Sequence, residues 1–98
     1  MLFALICKDK PGSLQVRLDT RPTHVAFLEG LNGEGKLAFA GPFLNAEGKP
    51  DGSLVVVEAP DLAAAQALSA ADPYAKAGLF ESVEIRQWNW TFNKPASA

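Results

Sequence analysis

The apolar residues of this chain concentrate in four segments whose spacing is typical of β-strands. These segments cover residues 2–8, 36–43, 53–58 and 81–92. The first is apolar at every position up to Cys7, which predicts a strand covered on both faces. The second contains Gly41-Pro42, and because proline cannot donate to a central ladder, we expect an edge strand. Between the second and third segments, residues 44–52 are polar and predict an exposed loop.

A long helix is predicted between the first two strands. Apolar residues recur after His24 at i+3, i+4 and i+7, namely Phe27, Leu28 and Leu31. The imidazole therefore shares one helical face with apolar side chains. Because Pro22 disfavours helical backbone at the residue before it, we expect a kink or restart there, preceded by a short helical turn that begins at Ser13. The glycines at 33 and 35 end the helix.

A second helix is predicted over residues 62–71, where alanine predominates, and Asp72-Pro73 ends it. Its inner stripe consists of Leu62, Ala65, Leu68 and Ser69. The order strand, helix, strand, strand, helix, strand with right-handed crossovers gives a ferredoxin-like βαββαβ fold of the α+β class. We expect a four-stranded antiparallel sheet with both helices on one face. Residues 1–98 form a single domain, in which residues 93–98 are a loose tail.

Charge and composition argue against several classes of function. The net charge is −2 and the charged residues are dispersed, so no basic stripe is available for phosphates and we expect no nucleic-acid binding. No signal peptide pattern is present, and no apolar run approaches the ~20 residues that cross a bilayer. The single cysteine, Cys7, lies in an apolar run and is interpreted as buried and inert. We expect a cytoplasmic protein without membrane association.

Two helices cover only one face of a four-stranded sheet, yet the last strand carries large apolar side chains on the other face. They are Trp88, Trp90 and Phe92. At ~25 cal/mol per Å², leaving their surface in water would cost several kcal/mol. We therefore predict a homodimer that packs sheet against sheet, as a dimeric α+β barrel-like assembly. In the alternative, the tail folds back over these rings. Stacking on nucleic-acid bases would need positive charge, and Arg86 stands almost alone.

His24, the only histidine, is the first candidate for acid–base chemistry because its side chain titrates near neutral pH. A catalytic histidine usually needs a carboxylate on its other ring nitrogen. The candidate carboxylates are Asp72, Asp9 and Asp19. If the first helix begins at Pro22, His24 and Asp72 are offset by ~12–15 Å along the helix axes, but a start at Ser13 makes them level. From the sequence alone, the favoured explanation of Asp72 is a residue chosen for the turn it makes.

Four further residues are candidates for substrate binding: Arg17, Arg21, Ser53 and Tyr74. The two arginines lie one helical turn apart and could hold a carboxylate, although such a pair is also typical of a solvated face. The Ser53 and Tyr74 hydroxyls could donate hydrogen bonds to a ligand. One histidine and one cysteine make a poor metal site, and no dinucleotide or phosphate-binding glycine motif is present. We therefore expect neither metal nor cofactor.

Over nearly its whole length the chain resembles the YciI-like family, which carries the YCII-related domain. The resemblance rests on KDK at 8–10, RL at 17–18, RPTH at 21–24, EGKLAFAGP at 34–42, and DPY at 72–74 followed by AG at 77–78. It implies a dimeric ferredoxin-like fold and an active site that contains His24 and Asp72. One relative is a dehydrochlorinase of a chlorinated ring-cleavage product, which implies acid–base elimination. The 44–52 loop and the Trp88-x-Trp90 ending depart from the family pattern.

The residues and the resemblance together favour an enzyme. In this interpretation His24, oriented by Asp72, moves a proton on a small anionic organic molecule, in a lyase-like or hydrolase-like reaction without a cofactor. The alternative is a non-catalytic dimer that binds a metabolite or a partner domain, with His24 in a structural role. The two interpretations differ on whether the imidazole faces a hollow that a solute can enter.

Overall fold

A computed structural model describes residues 1–96 of the chain. Its elements are β1 Leu2–Asp9, α1 Leu14–Gly33, β2 Leu37–Leu44, β3 Pro50–Glu58, α2 Leu62–Ala71, α3 Pro73–Lys76 and β4 Phe80–Trp88. The strands form one sheet in the order β2-β3-β1-β4, and all neighbouring strands are antiparallel. The predicted ferredoxin-like α+β fold is therefore confirmed, with the short helix α3 added between α2 and β4.

Helix α1 is continuous from Leu14 to Gly33 and passes through Pro22, so the predicted restart does not occur. Ser13 stands at its N-cap position but makes no side-chain capping bond. At the other end the Lys36 N–H donates to the Leu31 carbonyl at 2.9 Å, across Gly35 with its φ of +73°. The buried residues of this helix are Arg17, His24 and Leu31. Because they are spaced by seven, about two helical turns, they share one face.

The core lies between the helices and the inner face of the two central strands. Its buried side chains include Phe3, Leu5 and Cys7 of β1, Val55 and Val57 of β3, Leu31 of α1 and Ala65 of α2. Strand alternation places these residues of β1 and β3 on the face that the helices cover. The stripe predicted on α2 is buried at Ala65 and Ser69, but Leu62, in the first turn of the helix, is 48% exposed.

Strands β2 and β3 form a hairpin that is longer than the sequence predicts. β3 begins at Pro50, so the predicted loop over residues 44–52 is reduced to the turn that joins β2 to β3. The Asn45 side-chain oxygen accepts the backbone N–H groups of Glu47 at 2.9 Å and Lys49 at 3.1 Å, which organises the turn. β2 is an edge strand, as Gly41-Pro42 predicts.

The last strand ends earlier than predicted, at Trp88 instead of residue 92. Trp90 lies beyond it and packs edge-on against Phe39, with ring centroids 5.0 Å apart, while its indole N–H donates to the Phe92 carbonyl at 2.7 Å. Phe39 pairs with Val56, which lies on the sheet face away from the core, so these rings cover part of the helix-free face. The segment after β4 thus folds back at Trp90, whereas Phe92 is 83% exposed.

Two further sequence predictions concern a membrane span and the tail. Within residues 1–96, every helix is too short or too polar to cross a bilayer. Of the predicted loose tail at 93–98, residues 97 and 98 lie outside the described part of the chain.

Candidate active site

Helix α1 brings His24 against Asp72, the residue that joins α2 to α3. The His24 Nδ1 lies 2.8 Å from the Asp72 Oδ1, and the two residues are only 8% and 5% exposed. The same carboxylate oxygen accepts the backbone N–H of Tyr74 at 2.9 Å, as the N-cap of α3. Because an ionised carboxylate only accepts hydrogen bonds, Nδ1 of a neutral His24 carries the proton and Nε2 keeps its lone pair for a ligand.

The sequence leaves three carboxylates as candidate partners for His24, and in the fold Asp72 is the one that contacts the imidazole. Because α1 begins at Leu14, His24 lies well along the helix and level with the end of α2, which is the condition that its contact with Asp72 requires. Asp19 accepts a hydrogen bond from Gln15 on the surface of the same helix. Asp9 is buried and faces Arg17.

Arg17 is held inside the protein by two neighbours. Its Nε and Nη2 donate to the two carboxylate oxygens of Asp9 at 2.7 and 2.9 Å, and Nη2 also donates to the Ser53 hydroxyl at 2.9 Å. Burial by itself lowers the pKa of Arg17, but the bonds and charge of Asp9 outweigh it, and the pKa lies above its ordinary value. The guanidinium is therefore a permanently charged group whose Nε and Nη2 are engaged within the fold.

The Tyr74 ring lies beside both His24 and Arg17. Its centroid is 3.9 Å from that of the imidazole, with an interplanar angle of 17°, and the Arg17 guanidinium carbon lies 4.6 Å from the same centroid. Tyr74 is 1% exposed. Burial raises the pKa of its phenol, against the opposing charges of Arg17 and Arg21, so the hydroxyl is neutral at neutral pH.

A cavity of about 330 Å³ opens between α1 and the β2–β3 hairpin, directly beside His24. It has the size of a small-molecule site. Most of its lining is apolar, and helix α1 contributes Leu18, Val25 and Leu28. The predicted site residues that line the cavity are Arg17, Arg21, His24, Ser53 and Tyr74. Asp72 does not line the cavity but lies against His24, and Arg21 is the cation that stays exposed to solvent.

Asp9 is the site residue whose role the sequence analysis missed, since it appeared there only as a partner for His24. A signal was present: Asp9 continues the parity of Phe3, Leu5 and Cys7, so its side chain points to the covered face of the sheet. A carboxylate at such a position needs a buried cation, and Arg17 supplies it. Among residues 1–96, no group of three or more His, Cys, Asp or Glu side chains is close enough together to hold a metal ion.

Comparison with known proteins gives the family. The model of the YCII-related domain matches residues 1–89. The chain belongs to the YCII-related domain family. Protein YciI of Escherichia coli O6:H1 is 39% identical in an alignment of 98 positions that covers 94% of this chain and 100% of that protein. An uncharacterized protein of Haemophilus influenzae is 32% identical over the same shares of the two chains. The resemblance read from the motifs is thereby confirmed.

Solved structures support the fold at two levels of similarity. A 5-chloro-2-hydroxyhydroquinone dehydrochlorinase from Burkholderia phenoliruptrix, in complex with 2,5-dihydroxybenzoquinone, has a TM-score of 0.83 and 37% identity. That match covers 91% of this chain and 94% of the dehydrochlorinase. A NIPSNAP family protein from Agrobacterium tumefaciens covers 97% of this chain and 96% of its own, with a TM-score of 0.56 and 20% identity, and so supports the fold alone.

Proposed function

We propose that this protein is a small-molecule enzyme that uses His24 and Asp72 for acid–base chemistry without a cofactor. The observation that carries the proposal is the 2.8 Å contact between His24 Nδ1 and Asp72 Oδ1 at the wall of a cavity. Asp72 is itself fixed by the Tyr74 N–H, so the imidazole is held in one orientation. A general base positioned in this way contributes typically 10²–10⁴ in rate.

The substrate class follows from the lining of the cavity. Its walls are largely apolar, and Arg21 adds an exposed positive charge at its edge. A small cyclic molecule with one ionised oxygen satisfies both features, with the ring against the apolar wall and the anion near Arg21. The 37% identical relative, a dehydrochlorinase in complex with a dihydroxybenzoquinone, has a ligand of this kind.

The reaction that fits is an elimination of the lyase type. Nε2 of His24 removes a proton from the substrate, the electrons of the broken bond form a new double bond, and chloride leaves with its electron pair. Asp72 stabilises the imidazolium that forms, and the imidazolium then returns its proton to water. Arg21 binds the anionic oxygen, while the Ser53 and Tyr74 hydroxyls and the remaining Arg17 donors are further contacts for substrate oxygens.

Chloride release from 5-chloro-2-hydroxyhydroquinone tests the proposal. His24→Gln and Asp72→Asn should lower kcat, the first by about 10²–10⁴, while Arg21→Gln should chiefly raise KM. Asp19→Asn removes an exposed carboxylate of α1 and is the matched control, which should keep wild-type activity. Equal activity in His24→Gln and wild type would refute the assignment.

A second outcome would favour the non-catalytic alternative. If the protein binds this compound and other small halogenated or unsaturated acids but converts none of them, and His24→Gln lowers only the melting temperature, the cavity is a binding site. The protein would then be a metabolite- or partner-binding domain.

We also propose a homodimer through the helix-free sheet face. Trp88 is 38% exposed there, beside the packed rings of Phe39 and Trp90. A patch of this kind is costly in water, and a second copy of the same face would cover it. Phe92, which the sequence placed in this contact, lies beyond β4, so the proposed contact centres on Trp88 and Trp90.

A further inference from the structure

The ring of Tyr74 is enclosed by two side chains of the same helix. The imidazole of His24 is stacked on it at 3.9 Å, and the guanidinium carbon of Arg17 lies over it at 4.6 Å. The spacing of these two residues along α1 indicates that they lie on opposite faces of the ring. Arg17 and His24 are seven residues apart, roughly 10 Å along α1, which is the separation that brackets one ring.

His24, Tyr74 and Arg17 form a sandwich with the Tyr74 ring in the middle, and Arg17 is held more firmly than His24. Arg17 is fixed by two bonds to Asp9 and one to Ser53, so its guanidinium cannot move away from the ring without breaking buried contacts. A guanidinium over an aromatic face is itself an attractive arrangement. Within residues 1–96, His24 makes one side-chain hydrogen bond, to Asp72, and its ring stacks on Tyr74.

We propose that Tyr74 is a positioning residue for His24. The Tyr74 ring, held from its other face by the Asp9-anchored Arg17, sets the imidazole plane so that Nδ1 meets Asp72 and Nε2 faces the cavity. Without a ring stacked against it, the imidazole can turn about its Cβ–Cγ bond and carry Nδ1 away from Asp72, whereas a ring stacked at 17° removes that freedom. The catalytic consequence rests on the proposed function, but the positioning itself does not.

The face of the Tyr74 ring orients the His24 imidazole, and the Tyr74 hydroxyl does not. Tyr74→Phe keeps the sandwich, whereas Tyr74→Leu removes it. Phe80→Leu is a matched control, because Phe80 meets Tyr74 edge-on with centroids 6.0 Å apart and belongs to the surroundings of the ring instead of the sandwich. All three can be compared for stability by thermal unfolding.

Nitrogen-15 NMR of the ligand-free protein is the measurement. Because the chain has a single histidine, both ring nitrogens of His24 are assigned without ambiguity. Wild type, Tyr74→Phe and Phe80→Leu should show one tautomer with the proton on Nδ1, whereas Tyr74→Leu should show shifts averaged between the two tautomers. A purely structural role of Tyr74 predicts lower melting temperatures without a change of tautomer.

Two results would overturn the proposal: wild-type nitrogen shifts in Tyr74→Leu, or loss of the single tautomer in Tyr74→Phe, which would assign the role to the hydroxyl. If Tyr74→Leu does not fold, the double variant Asp9→Asn/Arg17→Met removes the anchor without truncating the ring and should give the same averaged shifts. Unchanged shifts in that double variant would equally count against the proposal.

Kinetics then separate this inference from the proposed function. If wild type releases chloride, Tyr74→Leu should lower kcat by about tenfold or more while changing KM less, because a misplaced base costs chemistry more than binding. If wild type shows no turnover, the proposed function fails, whereas the tautomer measurement on ligand-free protein still tests the positioning role of Tyr74.

Discussion

Replacing Asp9 with asparagine should destabilise the protein far more than a surface substitution does. The change keeps the size of the side chain but removes the charge that neutralises Arg17. Arg17 is only 4% exposed, and its Nε lies 2.7 Å from the Asp9 Oδ2. In the variant the guanidinium stays charged and buried without a counter-ion, because arginine cannot release its proton at accessible pH.

The expected loss is about 3–5 kcal/mol, the cost of removing one partner from a buried ion pair. A domain of this size has a total stability of roughly 5–15 kcal/mol, so the loss is a large fraction of it. Since each kcal/mol shifts Tm by about 4–8 °C in a domain of up to 100 residues, Tm should fall by at least about 12 °C.

Thermal and urea unfolding with matched variants gives the measurement. Glu81→Gln removes a carboxylate from the exposed pair of Lys8 and Glu81, whose Nζ and Oε2 are 3.8 Å apart, and should cost less than about 1 kcal/mol. The double variant Asp9→Leu/Arg17→Met removes both charges and should recover most of the loss, since an apolar pair replaces a buried ion pair at little cost.

An equal effect of Asp9→Asn and Glu81→Gln on the free energy of unfolding would contradict this prediction. A double variant as unstable as Asp9→Asn would contradict it too, because the loss would then come from packing and not from an uncompensated charge.

Two further predictions concern the thiol and the sheet face. Burial, followed by the charge of Asp72, raises the pKa of Cys7 from 9.0 to about 12, so a disulfide reagent at about pH 9 should label it only in urea. Rapid labelling of the folded protein would contradict this prediction. The folded protein holds the thiol proton to higher pH than the unfolded chain does. The associated stability is therefore full below pH 9.0 and is lost as the pH rises toward about 12. Sedimentation should show a dimer that Trp88→Lys converts to monomer, while Val16→Lys, at a site equally 38% exposed on α1, leaves it intact; a monomeric wild type would disprove the contact.

Local pattern was enough to predict most of the fold. The bounds of α2 follow from its alanine-rich composition and the Asp72-Pro73 stop, and the edge position of β2 follows from Pro42. The sequence also placed His24 on the inner face of α1. These features depend on side-chain periodicity and on turn chemistry, which act within a few residues of the chain.

The ends of elements were less predictable, and the reasons differ. Helix α1 continues through Pro22 because packing against the sheet outweighs the backbone preference of one residue. Strand β4 stops at Trp88, although apolar alternation continues, because its pairing with β1 ends there, with Leu2 opposite Trp88.

The choice of partners for the site residues required the folded chain. His24 and Asp72 are 48 positions apart, and nothing local distinguishes Asp72 from Asp9 or Asp19 as the carboxylate that reaches the imidazole. Likewise, Arg17 looks like a surface cation in sequence, but the approach of α1 to β1 buries it against Asp9. Periodicity tells which way a side chain points from its own element, while the identity of the group it meets depends on how separate elements dock.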